Sequence, residues 1–198
     1  GQEIVPFGEK QIDFGSPFEK LTVKESVIKY GNLQEVDLLP ENIDSIIKKY
    51  KVDLPNKNAS LGAKIFALFE ELVEKKIVNP TFIIDYPIEI SPLAKRDSKN
   101  PGVAARFELF VAGMEISNGF NELNDPYDQA QRFHDQVAAY EAGDQEAHQY
   151  DADFVHALEY GLPPTVGVGI GIDRLVMLMT NTTSIKDVIL FPTLKKVA

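Results

Sequence analysis

Residues 167–174 combine alternating glycines with an acidic and a basic residue, and they carry the clearest chemical signal in the chain. Glycine at every second position leaves one face of a predicted β-strand without side chains. A flat ligand can lie directly on backbone that is exposed in this way. The β-branched residues Val168, Ile170 and Ile172 alternate with the glycines. We therefore expect the opposite face of this strand to be buried.

Arg174 follows at the point where the apolar spacing changes from that of a strand to that of a helix. A guanidinium at such a corner suits a phosphate, because its fork of N–H donors matches two phosphate oxygens. The spacing lacks the Gly-x-Gly-x-x-Gly of dinucleotide-binding folds and the Gly-Lys-Ser/Thr of a P-loop. A buried glycine-rich strand that ends in a surface pair, Asp173 and Arg174, remains the alternative.

Two glutamates lie in a predicted hairpin over residues 106–118. With residues 112 and 113 as the turn, Glu108 faces Ser117, and Glu108 and Glu115 fall on one face about 7 Å apart. The apolar residues fall on the other, core-facing side: Phe107, Leu109, Val111, Met114 and Ile116. Two carboxylates at that separation favour Mg²⁺, which completes its octahedron with water and phosphate oxygens. The alternative is a solvated acidic face in which Arg106 neutralises Glu108.

The end of this hairpin carries a second polar set. Strict alternation places Asn118 on the core side, unless a bulge at Gly119 or a twist of the strand turns it. Asn118 can donate and accept hydrogen bonds, Phe120 can form a wall, and Glu122 offers a negative charge. Such a set could hold a small cationic molecule. The alternative is a polar strand end that leads into a helix capped by Asp125.

The composition limits the class of protein. With 198 residues, 44% of them hydrophobic, the chain is expected to form one folded domain or a large part of one. A net charge of −10 argues against a broad nucleic-acid-binding face, and the absence of cysteine excludes disulfides and thiolate metal sites. We interpret His134, His148 and His156 as surface or structural residues. No apolar run reaches membrane-spanning length and no signal peptide opens the chain, which predicts a soluble cytoplasmic protein.

Helical patterns dominate residues 16–80, whereas strand patterns and helices both occur in residues 81–198. Residues 16–80 are expected to form a helical insertion without chemical groups that act together, and residues 81–198 a sheet core. Helices are predicted over residues 40–50, 60–76, 125–142, 151–160 and 175–180. A further helix is predicted to start at a capping box over residues 22–25, and a short last helix is predicted to be capped by Ser184. Strands are predicted over residues 10–14, 81–86, 106–111 and 114–117, and over the glycine-rich stretch.

Several of these stretches together resemble class II lysyl-tRNA synthetases of the bacterial type. They are residues 86–96, 106–110, 115–125, 128–133, 167–179 and 187–192. Gly-Ile-Asp-Arg at residues 171–174 resembles the third signature motif of the whole class. Asn-Gly-Phe-Asn-Glu-Leu at residues 118–123 narrows the resemblance to the lysine enzymes and their close paralogues. The resemblance is dense from about residue 81 onward and looser before it.

The resemblance implies an α+β fold with an antiparallel sheet flanked by helices. It also implies ATP-dependent activation of lysine to lysyl-adenylate and transfer of lysine to tRNA(Lys), with Mg²⁺ as cofactor. The implied metal ligands are Glu108 and Glu115. The residues implied to bind ATP are Glu108, Gly171, Asp173 and Arg174, and Arg174 is the implied catalytic residue. The residues implied to bind lysine are Asn118, Phe120, Glu122 and Gly169. A homodimer is implied for the full-length enzyme.

Other parts of the family pattern find no match in the chain. These are the anticodon-binding barrel and the first two signature motifs, the second of which holds an arginine for the α-phosphate. We therefore interpret residues 1–198 as the C-terminal portion of the catalytic domain and expect the fragment alone to be inactive. Two alternatives stay open: a paralogue that lysylates a protein such as an elongation factor, and a non-catalytic nucleotide-binding module.

Overall fold

The computed structural model describes residues 2–56, 58–144, 147 and 149–192. The strands are β1 (Ile4–Phe7), β2 (Lys10–Asp13), β3 (Glu19–Thr22), β4 (Thr81–Pro87), β5 (Val103–Val111), β6 (Met114–Asn121) and β7 (Val166–Ile170). The α-helices are α1 (Val23–Gly31), α2 (Ile43–Tyr50), α3 (Leu61–Leu72), α4 (Pro126–Glu141), α5 (Ala152–Glu159) and α6 (Ile172–Thr180). Short 3₁₀ turns lie at Glu35–Leu38, Glu74–Lys76, Ile88–Ile90 and Ile185–Asp187.

The main sheet has five strands in the order β3-β4-β5-β6-β7, and β1 and β2 form a separate hairpin. The pair β3 and β4 is parallel, and the other three pairs are antiparallel. A parallel pair needs a long crossover connection, which α1, α2 and α3 supply here. The α+β prediction is confirmed, with the difference that this crossover makes the sheet mixed.

The segment predicted as a helical insertion is built into this sheet, because β3 lies within it. Thr22 starts α1 with the predicted capping box: its hydroxyl accepts from the Glu25 N–H and its own N–H donates to the Glu25 carboxylate. The second predicted helix begins at Ile43 instead of Pro40. The third ends at Leu72, and a 3₁₀ turn continues to Lys76.

Two apolar clusters lie on opposite faces of the sheet. One, the helical core, joins α1, α2 and α3 to β4 and β5 and includes Val27, Leu68, Phe69, Ile83, Tyr86 and Phe110. The other, the hairpin core, joins the β1–β2 hairpin and α6 to β5 and β6 and includes Phe7, Ile12, Val111, Ile116, Met177 and Leu178. Because Phe110 is 2% exposed, the side of β5 predicted to be polar faces a core as well.

The prediction of a buried apolar face on β7 is wrong. Val168 and Ile170 are each 57% exposed, and Ile172 is also exposed. β7 is the edge strand of the sheet, and within the described residues no buried cluster includes the apolar side chains of β7. The alternation of glycine with apolar residues therefore fixes which face each side chain takes but not whether that face is covered.

The predicted cap of α4 is confirmed, and α5 begins with a cap of the same kind. The Asp125 carboxylate accepts from the N–H groups of Tyr127 and Asp128, and the Asp151 carboxylate accepts from the Phe154 N–H. His134 packs against the Tyr150 ring in a tilted arrangement and His156 contacts the Glu159 carboxylate, whereas His148 lies outside the described residues.

None of the described helices has the length and apolar character needed to cross a bilayer. The cytoplasmic location expected from the sequence stays a prediction.

Candidate functional site

The β5–β6 hairpin turns at Ala112 and Gly113, as predicted. Their φ angles are 56° and 82°, and a two-residue type I′ turn requires positive φ at both positions. The Ala112 N–H donates to the carbonyl of Val78. A Cβ on Gly113 would lie 3.3 Å from the Lys75 backbone. The turn is therefore tied to the chain that follows α3, which fixes the position of both strands.

The predicted register holds near the turn and then shifts by one residue. Phe110 faces Glu115, but Leu109 faces Ser117, so Ile116 is an extra residue on β6. Glu108 consequently faces Asn118, and the prediction that it faces Ser117 is wrong. The bulge lies before Asn118, not at Gly119. An extra residue shifts the alternation of side chains by one, which periodicity alone does not reveal.

This bulge gathers the predicted site residues on one face of the sheet. Partners across antiparallel strands share a face. Asn118 therefore lies beside Glu108 and not on the opposite face, where strict alternation placed it. Gly169 pairs with Asn118, and Gly167 pairs with Phe120. The backbone left bare by the glycines of β7 is thus on the same face as the polar side chains of β5 and β6.

Glu108 is buried and held on both carboxylate oxygens. Its Oε1 accepts from Nη2 of Arg106 at 2.6 Å, and its Oε2 accepts from the Tyr86 hydroxyl at 2.7 Å. Burial raises the pKa of the Glu108 carboxyl, while Arg106 and Tyr86 oppose this shift. The alternative of a solvated acidic face does not describe Glu108, which is 7% exposed, although its ion pair with Arg106 is present.

Arg174 lies in the first turn of α6, directly after β7, as the change of spacing predicted. Its Nη1 donates to the Glu115 carbonyl at 2.6 Å and lies 3.6 Å from Oε2 of the Glu115 carboxylate. Both side chains remain substantially exposed. The guanidinium and the acidic hairpin therefore border one open surface and do not lie on opposite sides of the molecule.

A third carboxylate approaches the two glutamates of the hairpin. The pKa of Glu74 is raised to about 7, first by burial and then by the negative charges of Glu70, Glu108 and Glu115. Glu115 also raises the pKa of Glu108. The negative charges of Glu74, Glu108 and Glu115 therefore repel one another, and a bound cation would relieve the repulsion.

Glu122 lies at the other end of the bare backbone. A Cβ placed on Gly167 would collide with its Oε1, so the carboxylate lies directly over the glycine. Burial raises the pKa of Glu122. Among the described residues no Lys, Arg or His pairs with this carboxylate, whereas Glu108 and Glu115 both have a guanidinium nearby. A partly desolvated carboxylate of this kind favours a cationic ligand.

A cavity of about 260 Å³ lies beside this surface. Its lining is Ile90, Ser91, Pro92, Leu93, Ala94, Arg106, Asn118 and Phe120. Arg132 of α4 holds the loop that forms one wall, because its Nη1 donates to the carbonyls of Ala94 and Ser91. The loop that contains Ser91 and Ala94 is therefore anchored to a helix and closes one side of the site.

Comparison with known proteins shows the family to which this chain belongs. Residues 2–195 match the family model described as tRNA synthetases class II (D, K and N). The chain belongs to this family. The family resemblance and fold class inferred from the sequence are thereby confirmed for the synthetase chain.

Its curated relatives include proteins named lysine–tRNA ligase. One from Cronobacter sakazakii is 52% identical over 201 residues, which cover 100% of this chain and 39% of that protein. One from Campylobacter jejuni is 53% identical over 195 residues, which cover 98% of this chain and 38% of that protein. The synthetase chain therefore spans about two-fifths of the length of these relatives.

The site of the synthetase chain includes residues that the sequence reasoning did not single out. Tyr86 and Ser91 contact Arg106 or Glu108, and both lie in the stretch of family resemblance over residues 86–96, where neither was given a role. Glu74 sits in the segment expected to carry no chemistry. The sequence pattern does not indicate that Glu74 lies near the hairpin glutamates, because its position relative to the hairpin depends on where α3 ends.

The donor set of the synthetase site fits Mg²⁺. Within the described part of the chain no three His, Cys, Asp or Glu side chains are grouped as a complete protein metal site. Mg²⁺ commonly takes only one or two carboxylates and completes its shell with water and phosphate oxygens. Glu108 and Glu115 supply two such carboxylates, and the repulsion by which Glu115 raises the pKa of Glu108 is the observation that favours a cation here.

Proposed function

We propose that this chain carries the part of a lysine–tRNA ligase that binds Mg²⁺·ATP and lysine, and that these residues take part in forming lysyl-adenylate in the full-length protein. The observation that supports this most directly is that one face of the sheet combines three features. These are the acidic pair Glu108 and Glu115, the guanidinium of Arg174, and, beside bare glycine backbone, the carboxylate of Glu122, which has no cationic partner among the described residues. The names of the relatives support lysine as the amino acid.

ATP would lie along the end of β7 and the start of α6. Arg174 would bind the terminal phosphates, and Gly171 and Asp173 would form the adjoining wall, where the first turn of a helix favours negative charge. Glu108 and Glu115 would hold Mg²⁺. When bound, Mg²⁺ would neutralise the charge that develops on the leaving pyrophosphate. Arg174 is the catalytic residue of this proposal, because its guanidinium would contact the reacting triphosphate.

Lysine would lie over Gly169, between Asn118 and Glu122. The Glu122 carboxylate would pair with the ε-ammonium group, and burial of that pair would select a cationic side chain. Phe120 would pack along the aliphatic part of the substrate. Asn118 would bind a polar group of the amino acid with its carboxamide.

The chemistry in this proposal is in-line attack by the lysine carboxylate on the α-phosphorus of ATP, which releases pyrophosphate. The lysyl group would then move to the 3′ end of tRNA(Lys), and the full-length protein would act as a homodimer. No protein nucleophile takes part, so the side chains accelerate the reaction by positioning the substrates and neutralising charge. One lost contact of this kind would cost about a hundredfold in rate.

The substitution Glu122→Gln tests the lysine site. It keeps the shape of the side chain and removes the charge, so lysine should bind about tenfold to a hundredfold more weakly, whereas binding of Mg²⁺·ATP should not change. Isothermal titration calorimetry on the 198-residue chain would measure both affinities.

Glu41→Gln is the matched control, because Glu41 is an exposed glutamate between the Glu35–Leu38 turn and α2. It should leave both affinities unchanged. Equal losses for lysine and ATP in Glu122→Gln would contradict the assignment of Glu122 to the lysine pocket.

A further inference from the structure

Arg106 connects the two halves of the proposed site through one side chain. Its Nη2 donates to Oε1 of Glu108 at 2.6 Å, and its Nε donates to Oδ1 of Asn118 at 3.2 Å. Its Nη1 donates to the Ser91 hydroxyl at 3.0 Å. All three guanidinium nitrogens are therefore engaged. Because the guanidinium is planar and rigid, these bonds fix the Glu108 carboxylate and the Asn118 carboxamide relative to each other.

Tyr86 supports this guanidinium from the helical core. The Cζ atom of Arg106 lies 4.6 Å from the centre of the Tyr86 ring, which is a cation–π contact. The ring is fully buried and packs against Phe66 and Phe69 of α3. The Tyr86 hydroxyl holds the second oxygen of Glu108. Burial raises the pKa of Tyr86 well above its usual value, so this hydroxyl keeps its proton at neutral pH.

The bond from Arg106 also determines what Asn118 can offer to a ligand. Its carboxamide oxygen accepts from Arg106, so its NH₂ group is left to donate. Within the described residues, no hydrogen bond from this NH₂ group is found, and Asn118 lines the cavity beside the glycine backbone. Asn118 therefore offers a donor to an acceptor oxygen of the substrate.

We propose that Arg106 is a positioning residue that couples the two half-sites, so that binding of Mg²⁺·nucleotide through Glu108 strengthens binding of lysine through Asn118. This inference rests on the proposed function. A ligand that fixes Glu108 also fixes the guanidinium, and with it the carboxamide of Asn118. The second ligand then loses less conformational freedom on binding than the first, which gives positive cooperativity.

The coupling can be measured as the ratio of two lysine affinities of the 198-residue chain. One is measured without nucleotide and the other with Mg²⁺ and α,β-methylene-ATP, whose uncleavable bond prevents adenylate formation. We expect lysine to bind about fivefold or more tightly when the nucleotide is present. In Arg106→Lys the ratio should fall to about one, because an ammonium group cannot hold Glu108 and Asn118 together.

Two further variants separate coupling from loss of fold. Tyr86→Phe keeps the buried ring and removes only the bond to Glu108. It should weaken Mg²⁺·nucleotide binding and leave lysine binding without nucleotide unchanged. Arg96→Lys is the matched control, because Arg96 donates to the Pro101 carbonyl away from Glu108 and Asn118. It should keep the wild-type ratio.

The outcomes distinguish this inference from the proposed function. If Arg106→Lys weakens both ligands but keeps the ratio, Arg106 is only structural and the coupling is overturned. The coupling is also overturned if Arg106→Lys unfolds and Tyr86→Phe weakens lysine without nucleotide as much as it weakens the nucleotide. If the unmodified chain binds neither ligand, the proposed function fails and the coupling fails with it.

Discussion

The interior strands β4 and β5 and the edge strand β7 of the main sheet use similar apolar residues with opposite results. At β4 and β5, Ile83 and Phe110 are buried under α1, α2 and α3. At β7, Val168 and Ile170 are equally apolar and equally regular in spacing, yet each is 57% exposed. The difference shows that burial depends on a covering layer and not on the alternation of the strand itself.

The proposed site draws on both of these regions, which β6 joins. The covered strands β4 and β5 supply rigid support, since Tyr86 of the helical core and Arg106 both hold Glu108. The uncovered edge strand β7 supplies bare backbone at its glycines, and the start of α6 supplies the exposed side chain of Arg174. A site for large polar substrates needs both, because positioning requires packed neighbours and access requires an uncovered surface.

The largest contrast in stability is expected from truncating one apolar side chain in the helical core and one on β7. Phe69→Ala should destabilise the fold by about 3–5 kcal/mol, because Phe69 is fully buried between Tyr86 and Phe110. Ile170→Ala should cost less than about 1 kcal/mol, because most of this side chain is already in water. Urea unfolding followed by circular dichroism would measure both. Similar losses would mean that β7 is covered in solution.

A smaller contrast is expected between two glycines. In Gly119→Ala the new methyl would lie 2.6 Å from the Phe107 ring and 3.1 Å from the Gly167 carbonyl, so we expect a loss of about 1–3 kcal/mol. In Gly169→Ala the nearest atom, the Asn118 carbonyl oxygen, is 3.8 Å away, so stability should hardly change.

Thermal unfolding of the two glycine variants would test this difference, with lysine titration as a second measurement. Gly169→Ala should weaken lysine binding although it folds normally, because the methyl would occupy the bare backbone beneath the proposed substrate. Normal lysine binding in a stable Gly169→Ala would remove Gly169 from the site.

The smallest effect is a pH dependence that comes from Glu74. Its pKa is about 7 in the folded chain, above the usual 4.5 of a glutamate carboxyl, so the folded state binds more protons between these values and loses stability as pH rises through them. Because Glu74 is only half-buried, solvent screening limits the effect to about 1 kcal/mol. Glu74→Gln should therefore stabilise the chain by about this amount at pH 8 and leave it unchanged at pH 4.

Urea midpoints at pH 4 and pH 8 would test this prediction. Glu9→Gln is a suitable control, because Glu9 is exposed at the turn of the β1–β2 hairpin. A wild-type pH profile in Glu74→Gln would show that the repulsion around Glu108 and Glu115 does not involve Glu74.

Local features of the fold could be predicted from the sequence because they depend on neighbours in the chain. The capping box at Thr22, the cap at Asp125 and the turn at residues 112 and 113 are set by one or two residues and their hydrogen bonds. The strand-to-helix corner at Arg174 is likewise a local change of spacing. The family roles of Glu115 and Glu122 came from motifs and remain proposals.

What the sequence by itself determined is which side chains could share a face along each strand and where most helices and turns begin. Only the tertiary structure decided that a bulge at Ile116 brings Asn118 beside Glu108, that Tyr86 and Glu74 join the site, and that β7 is uncovered. The physical reason is that register, burial and electrostatic repulsion depend on partners far away in the chain, whereas periodicity and capping depend on the nearest residues.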